Sequence, residues 1–217
     1  MFSASEGVDG RKKNEQREFL EKELEPRLTE AEKGKRTVYF VDAAHFVLGS
    51  FLGYLWCITR VFIPSSSGRK RYNVLGAIDA ITHELITVCN ETYINACSVC
   101  ELLQKIRNAI VDENPVTLVM DNARYQRCAL VTELAKKLKI ELLFLPSYSP
   151  NLNLIERLWK WVKKDCLNCE YYESFDEFKE AINLSLQKVS QVETKKEMDT
   201  LLALNFQLFD NACYNRA

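Results

Sequence analysis

Residues 37–46 read TVYFVDAAHF, a run of β-branched and aromatic residues with an acid, Asp42, at its sixth position. This pattern predicts a buried β-strand. A second apolar run, VTLVMD at 116–121, ends in Asp121 and suits a strand that is covered on both faces of a sheet. Ligands of open α/β sheets bind beyond the carboxyl ends of the strands, so two acids at such ends can converge. Neighbouring carboxylates repel each other unless a cation separates them, and Mg²⁺ and Mn²⁺ prefer such oxygen ligands.

The segments around these two strands predict an α/β sandwich with one antiparallel and one parallel side. Two strands at 72–80 and 84–90 are joined by a tight turn at 81–83, which makes them antiparallel. Apolar residues then recur at helical spacing over 95–113, and Pro115 ends that helix. The other predicted elements are strands at 54–63 and 141–145, an exposed polar loop at 64–71, and helices at 126–139, 153–167, 175–190 and 196–206.

The composition is that of a globular protein. The chain has 217 residues, 47% hydrophobic and 27% charged, with 7 Gly and 5 Pro, which excludes collagen-like and largely disordered classes. No apolar run reaches the roughly 18–20 residues that span a bilayer, and the N-terminus lacks the pattern of a signal peptide. We therefore expect one domain with a short appendage, no membrane association and a cytoplasmic location. A net charge of −1 gives no electrostatic argument for a nucleic-acid partner.

The N-terminal segment differs in composition from the rest of the chain. Residues 11–36 are rich in Glu, Lys and Arg, with apolar residues at helical spacing that Pro26 interrupts. We interpret 1–36 as a charged, solvated helical arm or linker that precedes the folded domain at 37–217.

The cysteines allow two interpretations. Eight cysteines would suggest a disulfide framework in a small secreted protein, but this chain is larger and carries no secretion signal. The pairs Cys97/Cys100 and Cys166/Cys169 have the C-x-x-C spacing of zinc sites. However, 65 residues separate the pairs (166 − 100 − 1), against roughly 15–20 in zinc ribbons. We favour reduced thiols that pack as small apolar residues, with a zinc-structured module as the alternative.

A third acid, Glu156, lies in a predicted helix, with Lys160 one turn beyond it. Taken alone, this spacing is typical of an ordinary surface ion pair. The surrounding stretch at 143–164, LFLPSYSPNLNLIERLWKWVKK, is too aromatic and apolar for a plain connector. That context favours a defined position for Glu156 after the strand at 141–145.

Three blocks carry a family resemblance: YFVDAAHF at 39–46, VMDNARYQ at 119–126 and LPSYSPNLNLIERLWKWVK at 145–163. In this order they resemble the catalytic blocks of the DDE transposases of bacterial insertion sequences, in the mariner-like superfamily, which are relatives of retroviral integrases. Thirty-four residues lie between Asp121 and Glu156 (156 − 121 − 1), the spacing characteristic of that branch. The resemblance extends over about 37–206.

The resemblance implies a ribonuclease H-like fold over 37–217, with a mixed five-stranded central sheet flanked by helices. It implies that Asp42, Asp121 and Glu156 are the catalytic residues and bind two Mg²⁺ or Mn²⁺ ions. Two metals about 3.5–4 Å apart can activate the attacking water or 3′-hydroxyl and stabilise the leaving oxygen. The implied activity is DNA cleavage at transposon ends and strand transfer into target DNA, at TA sites and by a homodimer.

Residues near the three acids receive weaker assignments. Asn122 could orient Asp121 or a metal-bound water through a hydrogen bond, although Asn is also a common turn residue. His45 could reach the site or the DNA, although a lone His near a strand end is more often structural. We interpret Trp159 and Trp161 as packing residues. The candidate DNA-binding residues, each weighed against a merely solvated surface, are Lys160, Lys163, Lys164, Arg69, Lys70, Arg71 and Arg124.

The sequence also departs from the family pattern. Leu154 stands where many relatives have proline, and Gln126 stands where many have histidine, but neither position is a metal ligand in the family. No helix-turn-helix module precedes residue 37, which predicts an isolated catalytic fragment or a truncated copy. The alternatives to a transposase are a ribonuclease H-like nuclease that only hydrolyses, and a non-catalytic DNA-binding or dimerisation module derived from a transposase.

Overall fold

The computed structural model of the protein describes residues 13–49, 70–110, 114–168 and 170–206. Its centre is a five-stranded sheet in the order β3-β2-β1-β4-β5. The strands are β1 (Thr37–Val47), β2 (Arg71–Asp79), β3 (Leu85–Asn90), β4 (Val116–Met120) and β5 (Ile140–Phe144). The helices are α1 (Glu25–Glu32), α2 (Ala96–Ala109), α3 (Ala129–Lys137), α4 (Ile155–Leu167), α5 (Phe175–Lys188) and α6 (Lys195–Leu201).

The sheet has the mixed pairing that the sequence predicts. β1 pairs antiparallel with β2, and β2 pairs antiparallel with β3. β1, β4 and β5 run parallel, with α3 connecting β4 to β5. β4 is therefore internal, and its five residues, Val116–Met120, are all buried. The predicted strand at 54–63 lies outside the described residues. Of the predicted loop at 64–71 only Lys70 and Arg71 are described, and Arg71 already begins β2.

Alternation along the strands sends side chains to two separate apolar layers. On one face Val38 and Phe40 of β1 and Val119 of β4 pack with α4 and α5. On the other face Tyr39 and Val41 of β1 pack with α2 and α3. The predicted helix at 95–113 begins at a capping box, in which the Asn95 side chain accepts from the N–H groups of Cys97 and Ser98.

The N-terminal helix, defined here as residues 13–32, differs from the predicted solvated arm. Leu20, Leu24 and Leu28 are each at most 7% exposed and join the same apolar layer as Phe40. The charged residues occupy the outer side, so the high charge of this segment conceals an amphipathic helix that packs on the sheet. The division of the chain at residue 36 stays a prediction.

The prediction that Pro26 breaks this helix is wrong. A π-helical segment, Leu20–Leu24, directly precedes α1, and the N–H of Glu25 donates to the carbonyl of Leu20. Pro26 then falls in the first turn of α1, where the lack of an N–H costs least. The wider turn shifts the hydrogen-bond register and lets the helix continue through the proline.

No helix in the described ranges is both long and apolar enough to cross a membrane.

Candidate active site

Asp42 and Asp121 lie side by side at neighbouring strands. Val41 pairs with Met120 in the parallel β1–β4 ladder, and each acid is the next residue along its strand direction. Asp42 shares the alternation of Val38 and Phe40, and Asp121 that of Val119, so both project to the face covered by α4. The sheet order therefore places the two acids next to each other. The prediction that Asp42 ends its strand is wrong, because β1 continues to Val47 along β2 and only its parallel pairing with β4 stops at Val41.

Glu156 reaches the same place from α4. A 3₁₀ turn at Pro150–Leu152 and the buried residues Asn153 and Leu154 lead into the helix. Leu158 and Val162 of α4 are buried against the sheet, which fixes the side of the helix that carries Glu156. The three acids line one cavity of about 370 Å³. Its lining residues are Asp42, Asp121, Asn122, Leu145, Pro146, Ser147, Tyr148, Ser149, Pro150, Asn153 and Glu156.

The pKa of Asp42 is affected by burial and by the charges of the other two acids. Its pKa is raised from 3.8 to about 7, first because burial disfavours the charged carboxylate and then because Glu156 is a nearby negative charge. The backbone N–H of Ala43 opposes the rise in pKa, and the charge of Asp121 adds to it. A buried carboxyl whose pKa is raised by two other acids is a site where a cation would be strongly favoured.

Trp159, one turn beyond Glu156, also contacts Asp42. Its indole Nε1–H donates to Asp42 Oδ2 at 3.1 Å, and the residue is only 3% exposed. Sequence reasoning assigned Trp159 to packing alone and missed this hydrogen bond. Trp161, the other predicted packing residue, is partly buried, and its Nε1–H donates to Glu197 Oε1 at 2.7 Å.

Asn153 is a second residue that sequence reasoning missed. It is 4% exposed, lines the cavity, and donates through Nδ2 to the carbonyl oxygen of Val41 at 3.3 Å. Its Oδ1 and the Oγ of Ser149, another lining residue, are buried without a hydrogen-bond partner. Such orphaned polar atoms carry a desolvation cost that a polar ligand in the cavity would remove.

The donor set of the cavity fits a hard divalent ion, since carboxylate and amide oxygens are the ligands that Mg²⁺ and Mn²⁺ select. Within the described ranges, however, no three or more His, Cys, Asp and Glu side chains form a ready-made cage for a metal. The three acids share the cavity, and the charges of Glu156 and Asp121 act on Asp42. The same finding leaves the zinc alternative without support among the described cysteines: Cys97 is exposed, Cys100 half-buried and Cys166 buried, while Cys169 lies outside the described residues.

The two residues predicted to orient the acids lie differently. Asn122 lines the cavity, and its Oδ1 accepts a hydrogen bond from Arg127 Nη1 at 2.8 Å. His45 does not reach the acids, because it is three positions beyond Asp42 along β1 and so projects from the opposite face of the strand. Its Nδ1 lies 2.7 Å from Asn73 Oδ1, which makes it a structural residue of the β1–β2 pair.

The predicted DNA-binding residues fall into two groups. The first group is exposed and lies near the acids in sequence. It consists of Lys160, Lys163 and Lys164, on the same helix as Glu156, and Arg124, three residues after Asp121. Lys70 and Arg71 line a separate cavity with Tyr93 and Phe175, and Lys70 Nζ lies 5.5 Å from the Phe175 ring centroid. Arg69 lies outside the described residues. The two positions that depart from the family pattern, Leu154 and Gln126, are both buried.

Comparison with known proteins points in one direction. The sequence model of a family described as DDE superfamily endonuclease matches residues 37–179, more than half of the chain. No curated protein matches the sequence.

Similar solved structures include a pre-cleavage Mos1 transpososome, with a TM-score of 0.55 and 14% identity over 97% of this chain and 66% of that one. The Mos1 transposase catalytic domain with raltegravir and manganese has a TM-score of 0.53 and 14% identity, with 97% of this chain and 100% of that one covered. A chain of the simian T-cell lymphotropic virus intasome has a TM-score of 0.52 and 13% identity over 71% of this chain and 48% of that one. These similarities confirm the predicted ribonuclease H-like fold. The chain spans about half to two thirds of the length of the transpososome and intasome chains.

Proposed function

The chain belongs to the DDE superfamily of endonucleases, and we propose that it is the catalytic domain of a transposase that cleaves DNA at transposon ends and transfers the freed strands into target DNA. The observation that carries this proposal is the common cavity of Asp42, Asp121 and Glu156. These acids come from β1, the end of β4 and α4, and are far apart in sequence. A purely structural role would not require three like charges on one cavity, where their mutual repulsion costs stability.

Asp42, Asp121 and Glu156 would hold two divalent ions, Mg²⁺ or Mn²⁺. When bound, such ions activate a water or 3′-hydroxyl for attack on phosphorus and stabilise the leaving oxygen. The charges of Glu156 and Asp121 both raise the pKa of Asp42, and Asp42 would hold the ions together with them. The buried amide of Asn153 ties the start of α4 to β1 and so keeps Glu156 at the cavity.

The exposed cations around the cavity would bind the DNA substrate. Lys160, Lys163 and Lys164 extend along α4 away from Glu156, and Arg124 follows Asp121 after a short turn. Phosphate contacts by such side chains position the duplex without reading its sequence. Choice of the transposon end would then depend on another part of the protein or on a partner, and synapsis of two ends on a homodimer. The paired-end complex of the similar Mos1 transposase is consistent with such an assembly. The bacterial insertion-sequence origin and the cytoplasmic location stay predictions.

The experiment that tests this function is metal-dependent nicking of supercoiled plasmid DNA, which needs no particular end sequence. We expect cleavage with Mg²⁺ or Mn²⁺ and none with EDTA. Asp121→Asn should abolish cleavage while the fold and DNA affinity are kept, because Asp121 is exposed and makes no core contact. Asp165→Asn is the matched control, since Asp165 lies on α4 but pairs with Lys188 outside the cavity. Undiminished nicking by Asp121→Asn would refute the assignment.

Two rival functions are separated by further measurements. Pre-cleaved transposon ends and a target plasmid should give joined products if the chain is a strand transferase, and none if it only hydrolyses. A non-catalytic module derived from a transposase would bind DNA equally well with and without Mg²⁺ and would nick in neither case.

A further inference from the structure

Two hydrogen bonds connect α4 to β1 on either side of Glu156. Asn153, three residues before Glu156, donates to the Val41 carbonyl at 3.3 Å. Trp159, three residues after Glu156, donates to Asp42 Oδ2 at 3.1 Å. Asn153 lies just before the first turn of α4 and Trp159 lies within the helix, and both donors bond to β1. The element that carries the third acid is thereby fixed against the strand that carries the first.

Gly76 makes the approach of Trp159 to the sheet possible. It pairs with Asp42 in the β1–β2 ladder, so it lies directly beside that acid. A Cβ at Gly76 would lie 2.7 Å from Cη2 and 2.8 Å from Cζ2 of Trp159, distances that real Cβ contacts do not show. A glycine inside a strand marks a place where another group approaches the backbone closely, and here that group is the indole ring.

We propose that Trp159 is a positioning residue, which orients the Asp42 carboxylate toward the cavity through its indole N–H, and that Gly76 provides the space this requires. The inference rests on the function proposed above. An indole N–H only donates, so it engages one lone pair of Oδ2. The backbone N–H of Ala43 also bonds to the carboxylate, and the remaining lone pairs are left for a ligand. Groups that hold a metal-binding carboxylate in this way typically change metal affinity or activity about 10–100-fold when removed.

If Trp159 only packed against its neighbours, its hydrogen bond to Asp42 would not be needed. Phenylalanine would keep most of the apolar contact with the layer of Leu158 and Val162 but has no donor for Asp42. Trp159→Phe therefore separates the two roles. Trp161→Phe is the matched control. It also removes an indole N–H from α4, but that N–H bonds to Glu197, outside the cavity.

The measurements are Mn²⁺ binding by calorimetry on the DNA-free chain, and nicking rates at increasing Mg²⁺. We expect Trp159→Phe to weaken Mn²⁺ binding about 10-fold or more and to raise the Mg²⁺ concentration for half-maximal nicking, with an unchanged KM for DNA. Trp161→Phe should match the wild type in both. If Trp159→Phe binds Mn²⁺ and cleaves within a factor of about two of wild type, the positioning role is wrong while the proposed function stands. If the wild type binds no Mn²⁺, or Asp121→Asn cleaves as wild type does, the proposed function fails, and this inference with it.

Gly76→Ala provides an independent test that removes no hydrogen-bonding group. The added methyl should displace the indole and weaken Mn²⁺ binding to the level of Trp159→Phe. The two substitutions combined should be no worse than Trp159→Phe alone. A phenyl ring lacks Cζ2 and Cη2, so the methyl would meet only Ile155 Cδ1, at 3.1 Å. If Gly76→Ala does not fold, the double variant should recover folding. Normal Mn²⁺ binding by folded Gly76→Ala, or a double variant that fails to fold or binds Mn²⁺ more weakly than Trp159→Phe, would overturn the proposed link between Gly76 and Trp159.

Discussion

Glu141→Gln should lower the free energy of unfolding at pH 7, because Glu141 of β5 attaches the N-terminal helix to the sheet. Oε1 accepts from Arg27 Nη2 at 2.6 Å, and Oε2 accepts from Arg36 Nη1 at 2.8 Å and from Thr117 Oγ1 at 2.7 Å. These contacts lower the pKa of Glu141 from 4.5 to about 2, with the Arg27 hydrogen bond as the largest cause. Glutamine keeps the shape and loses the charge.

The size of the expected loss in unfolding free energy follows from the pKa and the exposure of Glu141. A fall in the Glu141 pKa from 4.5 to about 2 would correspond to about 3.4 kcal/mol, at roughly 1.4 kcal/mol for each tenfold change in proton affinity. The Glu141 side chain is 38% exposed, so solvent and salt screen the interaction. We therefore expect a loss of about 1–2 kcal/mol.

The dependence on pH follows from the sign of the change in pKa. A carboxyl whose pKa is lower in the folded state stabilises the fold above its unfolded pKa, near 4.5, and loses this contribution as the pH falls toward about 2. Urea unfolding of the wild type and Glu141→Gln should therefore differ at pH 7, and the difference should shrink below pH 4.5 and vanish only as the pH falls to about 2. Glu133→Gln, an exposed substitution on α3, should stay within about 0.5 kcal/mol of wild type. Equal stability at pH 7, or a difference that does not change with pH, would refute this account.

Two further outcomes follow from the charges around the cavity. Asp42→Asn should stabilise the metal-free protein in EDTA at pH 8 by about 1–3 kcal/mol and have little effect at pH 3. Because the pKa of Asp42 is raised from 3.8 to about 7, this carboxyl destabilises the fold increasingly as the pH rises above 3.8, and fully above about pH 7. Urea unfolding at both values checks this, and a destabilised variant at pH 8 would contradict it. Lys160→Gln and Lys163→Gln should each weaken DNA binding and reduce the slope of log affinity against log salt by about 0.9, as counterion release predicts for one lost phosphate contact. An unchanged slope would show that neither lysine contacts the DNA backbone.

The sequence predicts those features of the site that depend on short stretches of sequence, such as strands and the acids within or after them. Asp121 follows an apolar strand and Asp42 interrupts another, which local pattern shows, whereas their convergence depends on the pairing of β1 with β4. The sequence could also have excluded His45 from the site, because a residue three positions from Asp42 lies on the other face of an unbroken strand. The contact of Trp159 with Gly76 could not be predicted from the sequence, since nothing near a helix residue in the sequence indicates which strand residue it will contact. Gly76 inside an apolar strand was the one available sign of a close approach.

The N-terminal helix illustrates the opposite case, in which local pattern was misleading. Its charges and Pro26 are typical of a solvated linker, yet the helix contacts both the sheet and the rim of the cavity. Gln16 Nε2 donates to the carbonyl of Tyr148 at 3.2 Å, and Gln16 Oε1 accepts from Asn151 at 3.4 Å. Tyr148 has a positive φ of 59°, a backbone conformation that costs energy for a residue with a side chain and needs surrounding contacts to persist. The helix that Glu141 holds against β5 therefore also supports the loop that leads to Glu156. Loss of the Glu141 contacts should for this reason loosen the cavity rim as well as the helix, which links the stability of the N-terminal segment to the geometry of the three acids.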